Sequence, residues 1–487
     1  MVRQRKLLSR NPIEMTRGPL FINLIRFILP LIATNLLHQF YSAADIMIVE
    51  LSSEPNAVGA VSSAGAFLAL MVNLFIGFSV GANVVVARCI GAKEREKTSQ
   101  AAHTAICMSM LFGVLGAVIG ILLTKPVLVG MGYEGNLLML ASRYAYIYLA
   151  CMPFAALTNF LSAILQAQGN TRTPLVVLAS TGVLNVLLNL FFVLVLGLSV
   201  EGVAIATAIA NLTSACILWT YLSKSQSDCC LSFKKLKINK SLFVEIARVG
   251  FPAGIQNAMF SISNILIQSS ILQVNNALTP PGSAYDPIIK GNAAVSSLES
   301  FLFTALGAVT VTASAFTAQN VGANQYGRIK RALWEICLIS VTIGVTMSVA
   351  GMIFRAPLFS LYGVKDAPDL LAHMAYESAF ARMIWKWPCF FIYSIMNACS
   401  GTLRGLGKSS LAALIAFLGT CVLRVVWIYT VFAYFENLES IHISYPISWF
   451  ITGLCCLIIV LVILRKKTKE QRTAQTVEQN ESNITVA

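Results

Sequence analysis

Apolar residues run through most of this chain in blocks of about 20 or more, the length of α-helix that crosses about 30 Å of hydrocarbon. Polar connections separate the blocks. The pattern predicts twelve membrane spans: roughly 20–49, 57–87, 100–123, 137–166, 174–197 and 203–222 in the first half, then roughly 242–275, 288–322, 332–354, 370–403, 411–434 and 443–463 in the second. Several are longer than a straight crossing, so tilt or projection past the bilayer is expected. The polar run after the last block, 464–487, predicts a disordered tail.

Composition reinforces that reading. Of 487 residues, 57% are hydrophobic and 11% charged, a balance that sets aside a soluble protein. A net charge of +14 would suit a nucleic-acid partner, but the basic residues sort by side. One alternate set of segments holds Arg3, Arg5, Lys6, Arg10 and Arg17; Arg88, Lys93, Arg95 and Lys97; Arg172; Lys224, Lys234, Lys235, Lys237 and Lys240; Arg328, Lys330 and Arg331; Arg404 and Lys408; and Arg465, Lys466, Lys467, Lys469 and Arg472. The other set offers only Lys125, Arg355 and Lys365. This is the positive-inside asymmetry, so both termini are expected in the cytoplasm and no nucleic acid is expected as a partner. The first span has no short apolar region ending at a small-residue cleavage site and reads as retained.

The two halves repeat. "LIRFILPLIATN" at 24–35 pairs with "IARVGFPAGIQN" at 246–257, "VARCIGAKE" at 86–94 with "TAQNVGANQ" at 317–325, and "LQAQGNTRTPL" at 165–175 with "LRGLGKSSLAA" at 403–413. Six spans per copy is an even number, so both copies enter the membrane in the same sense. The expected fold is an all-α membrane protein, twelve transmembrane helices in two six-helix lobes related by a pseudo-two-fold along the membrane normal. The expected organisation is a cytoplasmic N-terminus at 1–19, an N-lobe at 20–222, a cytoplasmic linker at 223–241, a C-lobe at 242–463 and a cytoplasmic tail at 464–487. Such symmetry makes a cleft that opens alternately to each side mechanically simple.

Polar residues inside the spans supply the candidate chemistry. Thr34, His38, Tyr41 and Asp45 follow at steps of four, three and four, so they share a helix face. An ionised Asp45 in hydrocarbon costs at least a few kcal/mol, which predicts a group that is hydrated, paired or protonated. Asn185 and Asn189 share a face of the fifth span, Thr207 begins the sixth, and their oxygens suit a hard cation or a hydrogen-bonded proton carrier. The first span of the second copy repeats the stripe as Asn257, Ser261, Asn264 and Gln268, without a carboxylate. Glu299 in the eighth span is the best acidic candidate of the second copy and Arg424 in the eleventh its matching basic residue; a buried ion pair between them is the structural alternative to a functional role. Arg382 and Lys386, toward the outer half of the tenth, receive no role.

The near-motif "GTLRGLGKSS" at 401–410 lacks the phosphate-loop spacing and the preceding strand, and no HExxH or GxSxG motif stands out, so an enzyme has little support. The twelve cysteines are scattered through spans and cytoplasmic segments and read as small packing residues; Cys229 and Cys230 lack a second pair at zinc spacing.

The stretches "LPLIATNLLHQFYSAADIMIV", "NLFIGFSVGANVVVARCIGAKE", "LQAQGNTRTPL", "SAFTAQNVGANQYGRIKRAL", "SGTLRGLGKSS" and "LGTCVLRVVWIY" resemble, in order and spacing, the multidrug and toxic compound extrusion (MATE) transporters, and look like the bacterial branch that includes the DNA-damage-inducible type. The resemblance implies secondary antiport at the bacterial cytoplasmic membrane, in which H⁺ or Na⁺ entry drives export of amphipathic, often cationic compounds. No cofactor is implied beyond the coupling ion, and no metal beyond Na⁺ at Asp45. The chain is expected to act as a monomer in contact with membrane lipid. The resemblance further implies an N-lobe coupling site of Asp45, Asn185 and Thr207, with Asn189 where many relatives carry a second Asp. Pro30 matches a first-helix proline about which some relatives bend. A flippase of lipid-linked sugars and a nontransporting scaffold are the alternatives.

Overall fold

The computed structural model describes the backbone of residues 12–52, 54, 56–283 and 285–486, and their side chains except those of 66, 261, 262, 265, 472 and 474–486. The basic residues Arg3, Arg5, Lys6 and Arg10 and the side chain of Ser261 lie outside the described residues.

Twelve helical rods follow one another: α1 (Leu20–Glu50), α2 (Ala57–Gly91), α3 (Arg95–Gly130), α4 (Gly135–Ala150 and Met152–Ala167), α5 (Arg172–Val195), α6 (Val200–Ser223), α7 (Lys240–Leu278), α8 (Pro287–Gly322), α9 (Tyr326–Ile353), α10 (Leu370–Lys386 and Phe390–Gly405), α11 (Ser409–Phe435) and α12 (Leu438–Val486). Among the described residues there is no strand. Among the described residues nine rods are long and apolar enough to cross a membrane, and α4 makes a tenth when its halves, bent by 49°, are read as one span. The remaining two are those whose apolar run is interrupted, α7 by its amide stripe and α10 by Arg382, Lys386 and Arg404. The chain is a multi-pass membrane protein.

Backbone irregularities recur at matching places in the two halves. The fourth rod of each breaks at a proline, at Cys151 just before Pro153 in α4 and at Trp387–Cys389 around Pro388 in α10, because proline lacks the N–H of the helical ladder and crowds the preceding turn. The fifth rod of each widens into π-helix, at Phe191–Val195 in α5 and at Phe417–Val422 and Ile428–Phe432 in α11. Lys93 and Asn324, aligned in the second repeat pair, both have positive φ, 59° and 53°, and so do Gly169 and Gly407 in the third, 87° and 76°. The sequence repeat is thus a repeat of backbone conformation. At Gly169 only glycine fits, since a Cβ there would lie 2.3 Å from the Ile13 carbonyl oxygen.

By its contacts the chain forms two compact units, Met1–Ala258 and Met259–Ala487. In the first, α1 packs on α5, α5 on α6, α6 on α4, and α4 on α2 and α3. The start of α7 belongs here too, and its Gly250 and Gly254 meet Gly77 and Gly81 of α2 so closely that a Cβ on Gly77 would lie 2.2 Å from the Gly254 backbone. Arg88 and Glu245 close the same contact as an ion pair at 2.6 Å. The connection after α6 is docked rather than loose: Asn239 donates to Gln100 at 2.9 Å, Ser232 N donates to His103 Nε2 at 3.1 Å, and Phe233 lies against Trp219. In the second unit α8 packs on α10 and α9, and α10 on α12.

One expectation is corrected here. The polar tail is not irregular, because α12 continues as a single 49-residue helix to Val486. Its run of alternating Lys, Glu and Gln carries strong helix formers that extend a helix already nucleated in the apolar part, which composition alone does not register.

Candidate functional site

In the first unit the face of α1 that carries Asp45 lies against α5. Asn189 Nδ2 donates to Asp45 Oδ1 at 2.5 Å. With the Asn185 amide turned so that its nitrogen faces the carboxylate, it donates to the same oxygen at 3.0 Å, and its own oxygen accepts from Thr207 Oγ1 at 3.2 Å. Asp45, Asn185, Asn189 and Thr207 therefore form one connected network across α1, α5 and α6. Asn189 is fully buried, and its Oδ1 has no hydrogen-bond partner. An acceptor without a donor, next to a carboxylate, is the arrangement a cation or an added proton completes. Tyr144 and Tyr148 of α4 lie within electrostatic reach of Asp45. Neither tyrosine belongs to the polar stripes of α1, α5 and α6, and their i, i+4 spacing on α4 was the available signal in the sequence.

The rest of the α1 stripe does not converge on Asp45. Tyr41 nests against Gly182, where a Cβ would overlap its ring, and its hydroxyl donates to the Ala179 carbonyl oxygen at 3.2 Å. Thr34 turns back onto its own helix, donating to the Pro30 carbonyl oxygen at 2.7 Å. His38 is exposed. The helix itself continues unbroken through Pro30.

The second unit holds a different constellation. The expected pairing of Glu299 with Arg424 is not made. Glu299 Oε2 instead accepts from Arg382 Nη2 at 2.7 Å and from Lys386 Nζ at 2.6 Å, while Arg424 Nε donates to Ser448 Oγ at 3.1 Å. The reason is helix geometry: Arg382 and Lys386 stand four apart on one face of α10, and α10 packs along α8, so both reach Glu299 together. Arg424 is drawn to α12, where its guanidinium carbon lies 4.1 Å from the Tyr445 ring centroid. Of the α7 stripe, Asn264 Oδ1 accepts from Tyr445 Oη at 3.4 Å, Gln268 is exposed, and Asn257 falls within the first unit. Sequence reading did not single out His442 and Tyr445, although their spacing on α12 with Trp449 gives a polar and aromatic face.

A family model described as MatE matches residues 30–191 and 289–430 of this chain. The "Probable multidrug resistance protein YoeA" of Bacillus subtilis (strain 168) is 28% identical over 392 residues, spanning 78% of this chain and 80% of that one. The "Multidrug export protein MepA" of Staphylococcus aureus (strain MRSA252) is 24% identical over 261 residues, 53% of this chain and 58% of that protein. Among solved structures, an outward-facing multidrug resistance MATE transporter of the MOP superfamily aligns with a TM-score of 0.84 at 17% identity, covering 95% of this chain and 99% of that one. A MOP superfamily transporter from Pyrococcus furiosus, described as having a binding pocket of reverse polarity, aligns with a TM-score of 0.85 at 17% identity, covering 94% and 99%. These structures share the fold.

Proposed function

The chain belongs to the MATE family of multidrug efflux transporters, a family of transporters rather than enzymes, and on that premise we propose that it is a secondary antiporter whose coupling cation, H⁺ or Na⁺, is held at Asp45. The observation that carries this reading is the Asp45 network: a carboxylate held by two amides, with a third oxygen, Asn189 Oδ1, buried beside it and unpartnered. A carboxylate held only by neutral donors keeps its full charge available to a cation. Occupancy of the site exchanges α1–α5 contacts, which is how binding biases a transport state. The cargo in this reading is small, amphipathic and often cationic, and the chain works as a monomer in the bacterial cytoplasmic membrane with both termini inside. No cofactor beyond the coupling ion is required.

Efflux of ethidium from proteoliposomes under imposed proton or sodium gradients tests the proposal. The native chain is expected to extrude dye under one gradient, which names the ion, and Asp45→Asn to extrude none while remaining folded. Undiminished gradient-driven efflux by that variant would remove Asp45 from coupling.

A further inference from the structure

Around Glu299 the second unit gathers one buried carboxylate and three buried cations that the antiport reading leaves unused. Glu299 and Lys386 are 0% exposed, Arg424 3% and Arg382 6%. Such an excess of positive charge is costly in a medium of low polarity unless one group becomes neutral or an anion enters. Guanidinium does not deprotonate in proteins, so Lys386 is the cation of this cluster that can shed its charge.

Its surroundings accommodate both forms. Charged, Nζ donates to Glu299 Oε2 at 2.6 Å and lies 3.7 Å from the Tyr445 ring centroid. Neutral, the amine retains a hydrogen for Glu299, while Arg382 still holds the carboxylate. Acceptors stand nearby: Glu299 Oε1 is buried without a partner, and so are both ring nitrogens of His442, one of which accepts in the neutral ring; His442 lies one turn from Tyr445 on α12.

We propose that Lys386 is a proton-exchange site of the second unit, separate from Asp45, charged in one transport state and neutral in another. In the exchange an Nζ–H bond breaks, the amine keeps the electron pair, and the proton passes to the free ring-nitrogen lone pair of neutral His442, which hands it on to water. Reprotonation reverses these steps. The groups facing Lys386 are Glu299 from α8, Arg382 from its own helix, Tyr445 and His442 from α12 and Arg424 from α11. The charged residues of α9, Arg328 to Glu335, lie about 24–35 Å along that helix from Gly351, where Trp387 packs. The proposal rests on the antiport reading and adds a second coupling group to it.

The test counts protons released when ethidium is added to proteoliposomes with a trapped pH-sensitive dye. It compares the native chain, Asp45→Asn, Lys386→Arg and the double variant Glu299→Gln/Lys386→Met. Arginine keeps the charge and the ion pair but cannot exchange a proton, so a purely structural lysine tolerates it and an exchanging one does not. Release is expected to persist in part in Asp45→Asn and to lose that remaining part in Lys386→Arg. The double variant removes both charges together, so it remains informative where arginine fails to fit, and it is expected to lose the same part. Native-like release from either Lys386 variant overturns the proposal, as does release that follows chloride concentration, the behaviour of an anion site. A native chain that releases no proton overturns it too, leaving Asp45 as a sodium site. Unimpaired coupling in Asp45→Asn overturns the Asp45 reading and leaves Lys386 standing.

Discussion

Asp45 and Glu299 are both carboxylates on helices of the same repeat architecture, and their surroundings are opposite. Asp45 is half-buried and held by amides; Glu299 is sealed and held by Arg382 and Lys386. A carboxylate with neutral partners can gain or lose a cation without orphaning a charge elsewhere. One clamped between cations cannot, because its removal leaves two uncompensated charges in the protein interior. The duplicated scaffold therefore carries one anionic, open site and one net-cationic, closed cluster. The halves share their backbone breaks and differ in electrostatics.

The contrast makes its sharpest prediction in stability. Glu299→Ala is expected to lower unfolding free energy by about 3–5 kcal/mol, the cost of breaking a buried pair by removing one partner; thermal unfolding in detergent would read this as a large drop in melting temperature. Asp45→Asn, by contrast, should move stability by less than about 1 kcal/mol, since its amide oxygen still accepts from Asn189. If the two shifts came out equal, the electrostatic distinction between the units would be lost.

A smaller effect is expected at the glycines. Gly407→Ala and Gly169→Ala each place a side chain at positive φ, with a cost of about 1–2 kcal/mol, and Gly169 should suffer more because its Cβ also meets Ile13. Equal losses would show that the two turns, alike in φ, are also alike in packing. Smallest should be Asn185→Ala, at about 0.6 kcal/mol, the mean for hydrogen bonds between membrane helices. Its larger consequence should be weaker coupling, read as a higher ion concentration for half-maximal efflux.

Much of this was legible in the chain. Most of the twelve-rod plan follows from apolar block length, because a helix that crosses hydrocarbon satisfies its own backbone and presents apolar side chains to lipid; α7 and α10, whose runs polar residues interrupt, signal more weakly. The repeat was legible at turns, where Gly169 and Gly407 mark positions that only a residue tolerant of positive φ fills. Asp45, Asn185, Asn189 and Thr207 were legible as polar residues on the faces of apolar helices, and the resemblance grouped them, since Asp45 and Asn189 lie 144 residues apart in the chain.

Tertiary structure alone decided the partners of Glu299. From sequence, Arg424 was the cation matched with Glu299 and Arg382 and Lys386 had no role, because helical periodicity says which residues share a face but not which faces meet. The packing of α8 along α10 gave Glu299 to Arg382 and Lys386, and the packing of α11 on α12 turned Arg424 to Ser448 and Tyr445. It also sent Thr34 back onto its own helix and left His38 exposed, separating a stripe that periodicity had joined. Local sequence fixes the direction of a side chain about its own axis, whereas the choice of partner depends on where a distant helix lies, and that is set by packing of the whole unit.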